Sequence, residues 1–219
     1  MVKANRLLIV LDSVGYDQYL KAYTPNMDAV GAVHLAWSHG QWTRPSMAAI
    51  FTGLLPLCSI SDCPHRKLQC FHVIPSLFTV KEREGYNVKV YTGNALIWDL
   101  VPKRFLKQYD GNNYLPLVLE DVDTLGEPFY VIVHLLETHM PYTTEEEHGA
   151  LGAEERQRKA IEYVDRKIKP LLGRGEVIIT SDHGEYFGNN HYGHTLDAVG
   201  FQPELFKVPL ISSTVKQKT

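Results

Sequence analysis

The chain of 219 residues is short of several things, and each shortage narrows what it can be. No apolar stretch reaches the length of a membrane span, and the amino terminus runs almost directly into a strand-like segment. A soluble protein of the cytoplasm is the expectation. Neither sign of charge dominates: the formal net charge of -3 gives no electrostatic reason to expect a nucleic-acid partner. Internal repeats, low-complexity tracts and Pro/Gly/Ser linkers are missing, so nothing marks a boundary inside the chain. With 44% hydrophobic residues there is ample material for the core of one large domain.

Cysteine is scarce as well, and all three lie in one segment, Cys58, Cys63 and Cys70, interleaved with His65 and His72. Five such ligands could hold a structural zinc, but their spacing matches no paired CxxC knuckle. One disulfide with a free thiol, or an irregular surface loop, are the alternatives.

What is present is a set of short β-branched runs with acids or histidines where they stop. Asp12 ends Leu7 to Leu11, Glu137 and His139 follow Tyr130 to Leu136, and Asp182 and His183 follow Val177 to Ser181. Runs of this kind are what strands buried on both faces look like. In an open parallel sheet, ligands gather outside the carboxyl ends of the strands, so distant segments would deliver these groups to one edge.

Between the runs the sequence alternates. A strand over Arg6 to Leu11 leads to Thr24-Pro25-Asn26, a helix start for Met27 to Val33. Thr43-Arg44-Pro45 opens a second helix that ends near Gly53, and Ser76 to Glu84 reads as a helix closed by Gly85. Strands are expected over Asn87 to Tyr91, Phe129 to Leu136, Glu176 to Thr180 and Lys207 to Ile211. The clearest helix runs from about Ala153 to Leu172. Ala160, Ile161, Val164, Ile168 and Leu171 form its apolar stripe, with Glu154, Glu155, Arg158, Arg166 and Lys167 largely off it. Strands alternating with helices predict an α/β, three-layer sandwich with a mainly parallel central sheet flanked by helices.

Asp12, Asp182 and His183 are ligand types suited to zinc or manganese, and Gly184 would relieve the sharp turn that aims two neighbouring ligands inward. Singly, Asp12 could be a cap and His183 a loop residue. Thr43 precedes a helix whose free N–H groups could hold an oxyanion, which makes it a candidate nucleophile once a base or metal lowers its pKa. Threonine is equally at home as a helix N-cap, and spacing alone leaves both open.

The ordered blocks Leu8-Ile9-Val10-Leu11-Asp12-Ser13-Val14-Gly15-Tyr16-Asp17, Thr24-Pro25-Asn26-Met27-Asp28, Trp42 to Gly53 and Glu137-Thr138-His139-Met140-Pro141-Tyr142 carry a resemblance. So do Tyr163-Val164-Asp165, Ser181 to Gly188, Gly193-His194 and Val208-Pro209-Leu210-Ile211. Together they resemble the alkaline phosphatase superfamily, in its sulfatase-like branch. The resemblance implies metal ligation by Asp12, Thr43, Asp182 and His183, with Thr43 as nucleophile where sulfatases carry formylglycine. It implies that His139, in a His-x-Pro motif, contacts the substrate or its leaving group, and that His194 and Arg44 contact the transferred group. A divalent ion follows, zinc foremost, with manganese or calcium as alternatives. A second ion would have to recruit His139, Glu137, His191 or His194.

The departures steer the chemistry. Formylglycine is made from cysteine or serine, and the extra methyl of Thr43 forbids that aldehyde. Met47 stands where many sulfatases have arginine, and Asp12-Ser13 replaces the paired acids of calcium sulfatases. The expectation is a metal-dependent phosphoester hydrolase or phosphoryl-group transferase acting on a small molecule through a threonine nucleophile. A sulfatase-like sulfuric ester hydrolase and a non-catalytic phospho-ligand-binding relative are the rivals. The resemblance further implies a single catalytic domain over 1–219 without the family's usual C-terminal subdomain, its open site completed in a homo-oligomer if at all.

Overall fold

The apolar runs form the centre of a sheet because only there are both faces covered. In the computed structural model, which describes residues 3–55, 76–143, 151–188, 191–194 and 201–214, the strands are β1 (Arg6–Leu11), β2 (His34–Trp37), β3 (Asn87–Thr92), β4 (Leu106–Gln108), β5 (Phe129–Leu135), β6 (Glu176–Ser181), β7 (Tyr186–Gly188), β8 (His191–Gly193) and β9 (Lys207–Ser212). The helices are α1 (Tyr16–Lys21), α2 (Pro25–Asp28), α3 (Thr43–Thr52), α4 (Leu77–Arg83), α5 (Leu115–Thr124) and α6 (Ala153–Leu172). The cysteine segment with His65 and His72 lies outside the described residues.

The main sheet has the order β2-β9-β6-β1-β5-β3-β4. The five strands from β6 to β4 are parallel, and β9 and then β2 are added antiparallel at one edge. One face packs on α1, α2, α5 and α6 through Tyr19, Met27, Val118 and the α6 stripe of Ile161, Val164, Ile168 and Leu171. The other face packs on α3, α4 and a 3-10 turn, Ala95–Leu100, through Met47, Phe51, Phe78 and Ile97. The result is the α/β three-layer sandwich that the alternation of strands and helices implies.

Local signals explain most boundaries. Gly53 (φ 69) and Gly85 (φ 85) close α3 and α4 in the left-handed region that glycine adopts without a Cβ clash. Ser76 and Thr79 form a reciprocal capping box at the start of α4. The helix expected over Met27 to Val33 is instead the four-residue α2. The chain must turn at Gly31, which passes so close to β9 that a Cβ there would lie 2.5 Å from the Ser212 carbonyl oxygen. That turn feeds β2, an edge strand with no apolar run to announce it.

Register delivers the site. β1 pairs in phase with both β5 and β6, Leu11 opposite Leu135 on one side and Ser181 on the other. Residues 12, 136 and 182 therefore leave the sheet at one level, and the polar groups that follow converge without long loops.

Candidate active site

Asp12 and Asp182 leave β1 and β6 fully buried, and their carboxylates are half-anchored. Asp182 Oδ1 accepts the backbone N–H groups of Ser13 (3.0 Å) and His183 (2.8 Å). Asp12 Oδ1 accepts the Ser13 hydroxyl at 2.8 Å, and the Asn94 amide donates to Oδ2 at 3.4 Å. Asp182 Oδ2 has no hydrogen-bond partner. Ser13 holds φ 67, an uncommon conformation for a non-glycine residue, and it is this turn that aims its N–H at Asp182.

Gly184 makes the adjacent turn possible. A Cβ there would sit 2.3 Å from the Glu204 carbonyl oxygen and 3.2 Å from the Gly15 Cα, so no larger residue fits between these backbones. His183 is buried with Nδ1 2.8 Å from the Gly184 carbonyl oxygen, a contact that puts the proton on Nδ1 and a lone pair on Nε2. Nε2 lies 3.7 Å from Asp12 Oδ1, 3.5 Å from Asp182 Oδ2 and 3.3 Å from Thr43 Oγ1.

Thr43 is the first residue of α3, and the N-cap position belongs to Trp42, with no side-chain cap. The capping role that spacing left open is thus not taken. Its hydroxyl instead faces the cluster from the positive end of the helix. Arg44, the next residue, is not brought to the cluster. Its guanidinium makes two 2.8 Å hydrogen bonds to the Asp99 carboxylate and a third bond to the Leu96 carbonyl, so it ties α3 to the 3-10 turn. All of these bonds of Arg44 are made within the chain, and the substrate contact expected of it stays an expectation.

His134 lies inside β5 and does not stand at the end of an apolar run. Its imidazole is fully buried, with Nδ1 3.2 Å from Thr92 Oγ1. Nε2 lies 3.2 Å from Asp12 Oδ2 and 3.8 Å from Asp182 Oδ2, near both but aligned for a hydrogen bond with neither. A signal is there: His134 is the one imidazole in an otherwise apolar and aromatic run buried on both faces. Asp12, His134 and Asp182 bring ligand atoms within 4.8 Å of one another.

This pocket is built around positive charge. Burial by itself would raise the Asp12 carboxyl, but His134, followed by His139 and His183, outweighs it and holds Asp12 well below the usual carboxylate range. Burial would likewise lower His134, yet Asp12 and Asp182 push it up to about 9. An orphaned imidazole nitrogen and an orphaned carboxylate oxygen in a buried acidic cluster fit a divalent cation. Nitrogen and carboxylate donors without thiolate suit zinc or manganese better than calcium, which prefers an all-oxygen cage.

Two further histidines complete the edge. His139 is half-buried, its Nδ1 2.8 Å from the Met140 carbonyl oxygen. His194 Nδ1 lies 2.8 Å from Glu185 Oε1, and its ring centroid is 4.5 Å from that of His183 and 5.2 Å from that of His139. Burial disfavours the His194 imidazolium, but the Glu185 carboxylate outweighs this and raises its pKa above the ordinary value. Glu137, buried just before His139, accepts the Asn113 N–H on Oε1 at 3.2 Å, leaves Oε2 unpartnered, and is raised by burial.

Known proteins share this fold. Curated protein sequences give no match. The zinc complex of the C-terminal periplasmic domain of EcEptC from Escherichia coli superposes with a TM-score of 0.67 at 16% identity, over 98% of this chain and 74% of that one. The integral membrane lipooligosaccharide phosphoethanolamine transferase EptA from Neisseria meningitidis gives 0.69 at 17% identity, over 98% and 48%. BT1596, a 2-O GAG sulfatase, gives 0.70 at 15% identity, over 96% and 64%. These neighbours include a periplasmic domain and a membrane protein, so the cytoplasmic expectation gains no support from them. Among the described residues no helix is long and apolar enough to cross a membrane. The family model described as Sulfatase matches residues 4–218, so nearly every residue takes part. The chain therefore belongs to the sulfatase family.

Proposed function

We propose that the protein is a metal-dependent phosphoester hydrolase or phosphoryl-group transferase with Thr43 as its nucleophile. The observation that carries this is the Thr43 hydroxyl at the start of α3, 3.3 Å from His183 Nε2, beside a buried acid–imidazole cluster with orphaned ligand atoms. Asp12, Asp182, His183 and Thr43 would hold one divalent ion, with His134 a further candidate ligand. Such an ion supplies a lower pKa to the bound hydroxyl and a counter-charge to the phosphoryl oxygens.

The chain's own groups do the rest. Thr43 Oγ1 forms a bond to phosphorus as the bond to the leaving alcohol breaks, and His139 stabilises or protonates the departing oxygen. The phosphothreonine is released when water or a second alcohol attacks the same phosphorus and restores the Thr43 hydroxyl. His194, held by Glu185, which raises its pKa, faces the transferred group. The backbone N–H groups opening α3 face the same charge.

Sulfate-ester hydrolysis is the rival that family membership keeps in view. The family's aldehyde nucleophile cannot be made from Thr43, and that favours phosphate. The test is Thr43→Ala beside Asp182→Ala, with metal stoichiometry by elemental analysis and turnover of aryl phosphate, aryl phosphodiester and aryl sulfate. Thr43→Ala is expected to keep the metal and lose turnover of a phosphate ester by at least ~10³-fold, while Asp182→Ala loses both. Wild-type turnover in Thr43→Ala would refute the nucleophile. Wild-type preference for the sulfate ester would refute the substrate class.

A further inference from the structure

α6 carries its apolar stripe up to Ile161 and then breaks it. The next position on that stripe, four residues earlier, is Gln157, and it is fully buried. A buried amide in an apolar stripe is unfavourable unless its hydrogen bonds are made, so packing alone would select leucine there. Its donor is satisfied although its acceptor is not: Gln157 Nε2 donates to the Ser13 carbonyl at 2.9 Å and to the Thr138 carbonyl at 3.3 Å, while Oε1 has no hydrogen-bond partner. These carbonyls belong to the two turns that follow β1 and β5. One turn carries Asp12 and the other carries His139.

We infer that Gln157 is a positioning residue, an amide latch that holds these two turns against each other and thereby fixes the Asp12 carboxylate. The inference rests on the reading of this sheet edge as the active site. The latch closes a loop of contacts: the Thr138 hydroxyl donates to the Asp12 carbonyl at 2.7 Å, while Gln157 holds the next carbonyl, that of Ser13. Both peptide units around Ser13 are thus tied down, and Ser13 keeps φ 67 against the ordinary cost of that conformation. Its hydroxyl and N–H then hold Asp12 and Asp182 in their mutual orientation. Gln157 touches neither carboxylate. It acts through the backbone that presents them.

The test compares the wild type with Gln157→Leu and Gln157→Met, which keep the volume and remove the donor. Backbone hydrogen exchange is followed in segments 12–18 and 136–143, where the amides of Ser13, Val14, His139, Tyr142 and Thr143 are hydrogen-bonded. Zinc affinity is measured by titration. In both variants these two segments are expected to exchange about tenfold faster while β3 exchanges as in wild type. The zinc dissociation constant is expected to rise about tenfold, as when a group supporting a metal ligand is removed. Unchanged exchange in the two segments, or equal acceleration through β3, would overturn the latch. Faster local exchange with unchanged zinc affinity would reduce Gln157 to loop packing and overturn its positioning role. A wild type that binds no zinc would count against the proposed function, and the exchange comparison would still decide the latch. If the leucine variant does not fold, the methionine variant carries the comparison.

Discussion

At the scale of single residues, the site is a set of buried polar groups whose positions are fixed by neighbours with no room to spare. Gly184 shows this most sharply. Placing a Cβ 2.3 Å from the Glu204 carbonyl oxygen forces one backbone to move, and the segment that must move follows the turn carrying Asp182 and His183. Gly184→Ala is expected to destabilise the fold by about 1–3 kcal/mol, the usual cost of overpacking, and to weaken zinc binding as well. Urea denaturation and a zinc titration check the two effects, and a variant matching wild type in both would show that the backbones separate freely. Asp12, Asp182 and His183 could be picked out of the sequence because each stands where an apolar run stops. His134 could not be singled out by that rule, since it lies within a run and reaches the cluster sideways from β5.

At the scale of elements, what matters is how helices are pinned to the sheet edge. α3 places Thr43, and the Arg44–Asp99 pair anchors that end of the helix to the 3-10 turn. Arg44 is almost wholly buried, whereas the Asp99 side chain is 39% exposed, so water screens part of the interaction. Asp99→Ala leaves the guanidinium without its carboxylate and is expected to cost about 1–3 kcal/mol, less than the ~3–5 kcal/mol for breaking a fully buried pair. Turnover should fall with it, because the helix that aims Thr43 loses its tether. Loss of stability with unchanged kcat would confine the pair to a structural role. α2 is pinned in another way: the buried carboxylate of Asp165 on α6 accepts the N–H groups of Asn26 and Met27. That pairing gives a physical role to both Thr24-Pro25-Asn26 and Tyr163-Val164-Asp165. α1, β2, β4, α5 and the β7–β8 hairpin have no counterpart among the elements that the sequence pattern predicts. β2 and β4 are short edge strands of three or four residues, too short for either periodicity to register.

At the scale of the whole molecule, the sandwich buries several phenol groups along with its aliphatic core. Burial pushes Tyr130 up to about 12, and also raises Tyr91, which donates to Asp121, and Tyr114. Each folded-state pKa is raised above the unfolded value of ~10, so the folded protein holds protons that the unfolded chain releases. Their contribution to stability is complete below about pH 10 and is lost as pH climbs from there through the folded values. The urea midpoint should therefore stay level up to about pH 10 and fall steeply toward 12, with Tyr130→Phe removing part of the fall. A midpoint that declined equally in the variant would exclude Tyr130 as a contributor.

The sequence by itself determined the alternation of buried strands and amphipathic helices, and with it the layered α/β architecture. Patterns of period 2 and 3.6, and glycines at forced turns, are local properties that need no partner to be read. It also determined which acids stand at strand ends and that the residue proposed as nucleophile is a threonine. Tertiary structure alone decided the rest. The in-phase pairing of β1 with β5 and β6 sets the depth at which Asp12 and Asp182 emerge, and only that register brings His134 between them. It committed Arg44 to Asp99, and it turned a break in the α6 stripe into a link between two site loops. These outcomes depend on distances between segments that are far from adjacent in the chain, which no local pattern encodes.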